Sequence, residues 1–386
     1  MTAFLLELRT EEIPANALPD ARRQLGEGLR KGIAEAGFDG IEIRIMSTSL
    51  RLVATVENLP ERQADRTERM TGPPTRIAYD DDGKPTKAAE GFAKKAGISV
   101  DQLETESTDK GEYLAATVVH EGRASAEILG ELVPAVVGSM RFPKMMRWGL
   151  GEFFFVRPVH GLVALLGGDV VPMEVFGTEA GRTTVGHRVH APGDFEVPSA
   201  DDLAWELANR GVLIDPDERR RVLDERAAEL AAEAGCRVHP DDPHVAEHVE
   251  LVEYPGLLRG AIDPDYLELP SEVVITTLRY HQKCLILENE DGSLAPQFLA
   301  VIDRRDDPEG LVRQGNEWVI GARLADARFF FEEDRKRSME DWSVGLERLE
   351  FHRVLGSIAA KADRAGALAA ALAERLGLDL DADALR

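Results

Sequence analysis

The first sixty residues show patterns of apolar and polar positions that predict four consecutive elements. The stretch "AFLLELR" predicts a short strand, and a helically spaced apolar series that ends at Gly37 predicts a helix. Isoleucines at positions 41, 43 and 45 alternate with polar residues, which predicts a half-buried strand, and "LRLVATVENL" predicts another. The helical series is Leu18, Ala21, Leu25, Leu29, Ile33 and Ala36. This β-α-β-β order predicts mixed layers of helices and strands.

The rest of the chain continues to mix the two kinds of element. Over 79–97 we expect a turn followed by a short helix, which Pro85 and Thr86 open and Gly97 closes. We also expect a strand over "GEYLAATVVHEG" and a helix over 124–140. "Gly-Gly-Asp" at 167–169 and "Asp-Gly" at 291–292 are typical of hairpin turns. Asp215 followed by Pro216 predicts the start of a helix that ends at Gly235. From about Ser343 onward, alanine and leucine predict a helical segment.

These elements predict an α+β fold, with mixed sheets, flanking helices and a helical segment at the end. At 386 residues the chain is too long for one ordinary core. We expect an N-terminal α+β domain over 1–200, a second α+β region over 201–335, and the start of a helical domain over 336–386.

The composition excludes several classes of protein. A formal net charge of −24 argues against a protein that coats nucleic acid, because long-range repulsion opposes a polyanion. No apolar run approaches the ~20 residues that cross a bilayer, so no membrane partner is expected. The start "MTAFLLELRT" lacks the basic region of a signal peptide. Cys236 and Cys284 are too few for a disulfide framework, and we expect a reducing cytoplasm.

One short stretch departs from this acidity. "RFPKMMRWG", residues 141–149 and hereafter the basic segment, places Arg141, Lys144 and Arg147 among aromatic residues that include Trp148. The segment is either a packed corner that happens to be basic or a surface that faces a polyanion. Gathered arginines pair with phosphates, and a tryptophan either stacks on a base or packs beneath them.

A second group of cations lies within and after an apolar stretch. Arg157 and His160 interrupt the apolar run "FVRPVHGLVALLGG", and Arg188 stands between two histidines in "VGHRVHAPGDF". An unpaired buried guanidinium is costly, so Arg157 is expected either to pair with an acid or to face a functional surface. The histidines and arginines together indicate an anion-binding patch.

The segment "HVAEH" raises a different possibility, a zinc hydrolase. His244 and His248 would share one face of a helix as two zinc ligands, with Glu247 as the general base. The alternative is a solvated helix face in a segment rich in acidic residues. No phosphate-binding loop and no serine-hydrolase elbow occurs in the sequence.

Seven stretches in order carry a resemblance to a known family. They are "LLELRTEEIPANAL", "GPPTRIAYDDDGKPTKAAEGFAKKAG", "TDKGEYL", "PKMMRWG", "FVRPVHGLVALLGG", "GHRVHAPGDF" and "GARLADARFFFEEDRK". Together they resemble the β subunit of the bacterial heterotetrameric glycyl-tRNA synthetase, from residue 3 to about residue 365. Family members are longer, with an HD-type domain, a body-and-tail region and an anticodon-binding domain after this point. The chain is therefore expected to correspond to an N-terminal half.

The resemblance implies an accessory role in tRNA aminoacylation. The family enzyme is an α2β2 heterotetramer in which the α subunit uses ATP and Mg to make glycyl-adenylate. The β subunit contributes recognition of tRNA(Gly), so we expect this chain alone to be inactive, with no cofactor and no catalytic residue of its own. Where the family often has Pro-Arg-Arg-Leu, this chain has "TSLRLV", which keeps only Arg51 as a cation there.

The residues expected to contact tRNA or a partner subunit come from both cationic groups. Two other functions stay open: a scaffold that only holds the α subunit, and the zinc hydrolase with His244 and His248 as ligands. The expected contact residues are Arg141, Lys144, Arg147, Trp148, Arg157, His160 and Arg188.

Overall fold

The computed structural model describes residues 2–80, 83–108, 111–149 and 151–378. Part of the turn predicted at the start of 79–97 and the final residues of the predicted helical segment lie outside this described part. The helices are α1 Leu18–Glu35, α2 Thr75–Ala78, α3 Lys87–Ala96, α4 Ser125–Ser139, α5 Leu203–Asn209, α6 Pro216–Glu233, α7 Asp242–Leu251, α8 Ser271–Thr276, α9 Leu311–Asp334, α10 Met339–Gly345 and α11 Ile358–Leu376.

The strands are short except in the main sheets. Helices flank several sheets, and the described chain ends in a helix, which confirms the predicted α+β class. The strands are β1 Thr2–Thr10, β2 Glu42–Thr48, β3 Arg51–Leu59, β4 Arg66–Pro74, β5 Glu104–Thr108, β6 Gly111–His120, β7 Met146–Arg147, β8 Phe154–Phe155, β9 Val159–Leu166, β10 Asp169–Val170, β11 Glu174–Val175, β12 Thr178–Glu179, β13 Thr183–Val185, β14 Asp194–Glu196, β15 Arg237–Val238, β16 Pro255–Ala261, β17 Cys284–Glu288, β18 Leu294–Asp303, β19 Glu350–His352 and β20 Gly356–Ser357.

The chain divides into two compact units that are discontinuous in sequence. Unit 1 comprises residues 1–234, 240–258 and 301–308, and unit 2 comprises residues 235–239, 259–300 and 309–386. The domains expected over 1–200, 201–335 and 336–386 stay predictions.

Unit 1 is built on a five-stranded antiparallel sheet with strand order β10-β9-β1-β3-β2. Side chains of β1 alternate between two cores: Phe4 and Leu6 pack with α1 and α4, and Leu5 packs with the region around α5. Because both faces of the sheet are covered, β1 reads as a continuous apolar run. At Gly32 a Cβ would lie 2.1 Å from a methyl carbon of Leu132, so glycine allows α1 and α4 to approach closely.

The predicted helices and hairpins of unit 1 are confirmed. The Thr86 hydroxyl accepts a hydrogen bond from the amide of Ala88 at the start of α3, and Gly97 ends that helix in the left-handed conformation. The Asp215 side chain caps α6 in the same way. The hairpin predicted at 167–169 joins β9 to β10. A separate three-stranded sheet, β4-β6-β5, packs on α3.

Unit 2 carries strands of a four-stranded sheet, β15-β17-β18-β16, and its core includes Ile320 and Leu324 of α9. The hairpin predicted at Asp291-Gly292 joins β17 to β18. The prediction of a continuous helical segment from about Ser343 is wrong, because β19 and β20 form a hairpin between α10 and α11. Gly356 adopts a φ of 84°, which a continuing right-handed helix does not permit.

No helix among residues 2–80, 83–108, 111–149 and 151–378 is long and apolar enough to cross a membrane.

Candidate nucleic-acid interface

The basic segment begins where α4 ends. The Arg141 amide donates to Oε1 of Gln24 at 2.8 Å, and its Nη1 donates to the carbonyls of Gly138 and Met140, both at 2.9 Å. A cation at a helix C-terminus satisfies carbonyls that have no partner within the helix and interacts favourably with the helix dipole. Arg141 is therefore held in place by backbone groups while its side chain stays exposed.

Aromatic packing anchors the rest of the segment. The Phe142 and Phe155 rings meet edge-on with centroids 5.5 Å apart, and the Trp148 and Phe176 rings do so at 5.6 Å. Phe153 joins the same group, 6.1 Å from Trp148. Edge-to-face pairs of this kind add to the stability that burial provides. Trp148 is thus only partly exposed and packs beneath the surface of the segment.

The three cations of the segment face solvent. Arg141, Lys144 and Arg147 are all exposed, and within the described chain none of them forms an ion pair with a carboxylate. The Nε of Arg147 donates to the carbonyl of Gly151 at 3.1 Å. Each of the two interpretations of the basic segment applies to one part of it. Its aromatic side chains form a packed corner, and its cationic side chains are open to solvent.

The structure also brings forward a residue that the sequence did not single out. β7 and β8 form a small hairpin in which Phe154 lies directly opposite Arg147, and the Phe154 side chain is 52 % exposed. An exposed aromatic ring beside an exposed guanidinium is a typical platform for a nucleic-acid base. The run of three phenylalanines was the available signal, but only the strand register shows which ring points outward.

The second cationic group, formed by Arg157, His160 and Arg188, is less available to an anion. Part-buried Arg157 donates to the carbonyls of Glu12 at 2.9 Å and Val156 at 3.0 Å, and it forms no ion pair with a carboxylate among the described residues. His160 contacts Glu11 at 2.9 Å, and Arg188 pairs with Glu12 at 3.0 Å. His160 and Arg188 would have to exchange these partners to bind an anion, whereas Arg157 would not.

Arg51 is buried beside this group and is not available to a macromolecule. Its guanidinium donates to Oε1 of Glu7 at 2.7 Å and to Oε1 of Glu253 at 2.9 Å, and all three side chains are 1 % exposed. Burial acts to lower the pKa of Arg51, but the charges of Glu253 and Glu7 outweigh it and raise that pKa above the usual value. Arg51 therefore stays charged and joins β3 to two other segments of unit 1.

The two histidines of "HVAEH" do share a face of α7, as the spacing predicts. Both are buried, and the Nε2 atoms of His244 and His248 lie 3.3 Å apart, while Nδ1 of His244 is 3.8 Å from Glu247. A structural zinc site needs four ligands and a catalytic site three. Across the residues with described positions, no group of three or more metal-ligating side chains comes together.

Comparison with known proteins agrees with the resemblance seen in the sequence. Residues 4–386 match the family described as glycyl-tRNA synthetase beta subunit. The glycine–tRNA ligase beta subunit of Oleidesulfovibrio alaskensis is 40 % identical over 387 residues, which cover 100 % of this chain and 56 % of that protein.

Two further relatives carry the same name. The protein of Syntrophus aciditrophicus is 38 % identical and that of Moorella thermoacetica is 39 % identical, with 97 % of this chain and 54 % of each relative covered. The chain spans about half the length of the curated relatives it matches. The match over almost every residue shows that the chain belongs to the glycyl-tRNA synthetase beta subunit family.

Proposed function

We propose that this chain acts as part of the beta subunit of a glycine–tRNA ligase and that its basic segment contacts tRNA(Gly). The observation that carries the proposal is the exposure of Arg141, Lys144 and Arg147, with no acidic partner among the described residues, in a chain of net charge −24. In so acidic a protein, unneutralised cations gathered on an anchored loop give a polyanion a local docking site. Phe154 adds a ring on which an unpaired base can stack.

The reaction is the ATP-dependent attachment of glycine to tRNA(Gly), and the chemistry belongs to the partner. The relatives are named as beta subunits, so an alpha subunit is the expected partner, and we propose an α2β2 assembly in the cytoplasm. The alpha subunit holds glycine, ATP and Mg and forms the adenylate. This chain supplies positioning of the RNA, and without the alpha subunit it is inactive.

Charge reversal in the basic segment tests the proposal. The triple variant Arg141→Glu, Lys144→Glu, Arg147→Glu is titrated with tRNA(Gly) at several salt concentrations, with and without the alpha subunit. Removing one cation from a phosphate lowers the salt slope of binding by roughly 0.7 to 0.9, so for three cations we expect a change of about 2 to 3 and weaker binding. A variant with unchanged tRNA affinity and unchanged assembly with the alpha subunit would refute the assignment.

A matched control separates local contact from net charge. Lys31→Glu, Arg221→Glu, Arg226→Glu makes the same change in charge on exposed faces of α1 and α6, far along the chain from the basic segment. We expect this control to lower tRNA affinity by much less than the test variant does. Equal losses of affinity in the two variants would mean that only overall charge matters.

A scaffold for the alpha subunit is the second candidate, and exposed aromatic side chains on one helix favour it. In unit 2, Trp318, Phe329 and Phe330 of α9 are 76 %, 58 % and 62 % exposed. Exposed aromatic residues on this scale mark protein-binding surfaces. Capture of the alpha subunit by the chain, abolished by Trp318→Ala and Phe330→Ala, together with no measurable binding of tRNA, would support the scaffold over the RNA contact.

A further inference from the structure

Unit 1 contains a cavity of about 430 Å³ at the end of β1, hereafter the sheet-end cavity. Its polar lining includes Arg9, Thr10, Arg51, His160 and Arg188. Pockets of this size hold small organic molecules. The cavity lies apart in sequence from the basic segment, and none of the residues of that segment lines it.

Arg9 is a charged side chain of this cavity for which the described structure provides no partner. It lies directly across the β1–β3 ladder from Arg51, so two guanidinium groups stand side by side on one face of the sheet. Like charges in directly opposed positions destabilise a sheet unless something neutralises them. Arg51 has Glu7 and Glu253, whereas the Arg9 side chain forms no hydrogen bond or ion pair in the part of the chain that the structure describes.

The backbone leaves room for the Arg9 side chain. Gly161 is its partner across the β1–β9 ladder, and a Cβ there would lie 2.9 Å from Nε of Arg9 and 3.1 Å from its Nη2. Real Cβ atoms do not approach that closely, so any other residue at 161 would displace the guanidinium. Glycine within a strand marks a close approach of another group. The guanidinium of Arg9 thus lies flat against the strand at the cavity wall.

A second polar group in the cavity wall also lacks a partner. The side chain of Thr10 is 3 % exposed, and its Oγ1 has no hydrogen-bond partner among the described residues. A buried hydroxyl without a partner costs free energy. Thr10 lines the cavity beside Arg9, but its Oγ1 is closed to solvent, so this hydroxyl becomes available to a ligand only through a local shift of the cavity wall.

The acidic residues around the cavity are already engaged. Glu253 and Glu7 are held by Arg51, and Glu11 and Glu12 contact His160 and Arg188 at exposed positions. Arg188 has a second partner in the less exposed Asp303, at 3.5 Å. Exposed pairs contribute little and exchange readily. An incoming anion therefore meets the free charge of Arg9 first and can then recruit the other two cations.

We infer that the sheet-end cavity binds the phosphate group of a nucleotide, with Arg9 as its primary contact. A phosphate offers several acceptor oxygens in a tetrahedral arrangement, so it can accept from the guanidinium groups of Arg9 and Arg188 together, which a planar carboxylate does less well. The remaining lining, with Leu50, Val185 and Pro192, suits the apolar faces of a sugar and base. The nucleotide is either free or part of an RNA strand.

The test measures binding directly and does not depend on aminoacylation. The purified chain is titrated calorimetrically with AMP at low ionic strength, and inorganic phosphate is added as a competitor. We expect one molecule of AMP per chain and displacement by phosphate. Arg9→Gln and Gly161→Ala should each raise the Kd for AMP by about tenfold or more, the first by removing the charge and the second by displacing it.

Two matched controls keep the result interpretable. Arg221→Gln removes one exposed positive charge on α6, and Gly91→Ala adds a methyl group on α3 where nothing lies within 4 Å. Both should leave the Kd for AMP within about twofold. If Gly161→Ala fails to fold, Arg9→Lys provides the second test, because it keeps the charge and loses the planar fork.

The source of the phosphate is decided by a competition with tRNA. This is done in the Arg141→Glu, Lys144→Glu, Arg147→Glu background, so that failure of the basic segment and failure of the cavity are told apart. Displacement of AMP by a tRNA transcript assigns the cavity to an RNA strand, and lack of displacement assigns it to a free nucleotide. Absence of any binding of AMP and phosphate to the native chain, or equal affinity in the native, Arg9→Gln and Gly161→Ala chains, overturns the inference.

Discussion

Replacing Arg51 with methionine tests whether the buried ionic cluster holds unit 1 together. Methionine has a similar volume and no charge, so Arg51→Met removes the cation without leaving a large cavity. It deletes hydrogen bonds to Glu7 and Glu253 and one of 3.2 Å to the carbonyl of Val185. Thr48 still donates to Oε1 of Glu253 at 2.8 Å. The Glu7 carboxylate loses its cation, and its Oε2 has no other hydrogen-bond partner among the described residues.

The expected loss of stability follows from the carboxylate charge that Arg51→Met leaves without its cation. Removing one member of a buried ion pair costs about 3–5 kcal/mol, because an uncompensated charge stays in a low-dielectric interior. Typical domains unfold at about 5–15 kcal/mol, so the loss takes a large share of the stability of unit 1. Adding Glu7→Gln to Arg51→Met removes one stranded charge and should recover about 1–2 kcal/mol. The exposed control Arg221→Met should cost less than about 0.5 kcal/mol.

Urea unfolding followed by tryptophan fluorescence provides the measurement. Trp318 and Trp342, which belong to unit 2, are first replaced by phenylalanine, so the signal comes from Trp148 and Trp205 of unit 1. This separation matters because two units need not unfold in one transition. A loss of stability below about 1 kcal/mol with an unchanged urea dependence, or no recovery when Glu7→Gln is added, would show that the cluster does not stabilise the fold as argued.

Two more predictions concern titratable groups. Burial raises the pKa of the Cys284 thiol to about 12, whereas Cys236 is only partly buried, so iodoacetamide at about pH 8 should alkylate Cys236 and spare Cys284 until the chain is unfolded; mass spectrometry of the native protein showing both modified would contradict this. Burial acts to raise the pKa of Asp303, but the imidazole of His187, whose Nε2 lies 3.3 Å from Oδ1, and hydrogen bonds from the backbone amides of Glu253 and Tyr254 hold that pKa below its usual value. The contribution of Asp303 to stability is therefore present above about pH 4 and lost as the pH falls further, so Asp303→Asn should flatten the acid limb of the stability curve, and an unchanged limb would argue against it.

Local patterns predicted those elements whose ends depend on nearby residues. Thr86 and Gly97 bound α3, and Asp215 with Pro216 begins α6, since a capping side chain and a left-handed glycine act within one turn. The hairpin of β19 and β20 was missed, because an alanine- and leucine-rich neighbourhood dominated the pattern and Gly356 alone was a weak signal against it.

The sequence predicted which cations form the basic segment, but not how the folded protein arranges them. The sequence placed Arg141, Lys144 and Arg147 together, and their exposure with no acidic partner in the described chain is a property of the folded surface. Nothing in the sequence indicated that Arg9 belongs to a site, because an arginine near the end of an apolar strand does not show which residues lie opposite it in the sheet. Only the register that sets Arg9 between Arg51 and Gly161 reveals an unneutralised cation at a cavity wall.

By itself, then, the sequence determined many of the longer strands and helices, the family and the location of the basic segment, because periodicity, caps and long ordered stretches are written along the chain. Tertiary structure decided which cations are free. Arg51 is neutralised by Glu253, 202 residues away, while Arg141 is held by carbonyls at the end of the preceding helix, α4. Whether a charge is buried, paired or open depends on atoms brought close by folding, since Coulomb energy and desolvation depend on distance in space rather than separation along the chain.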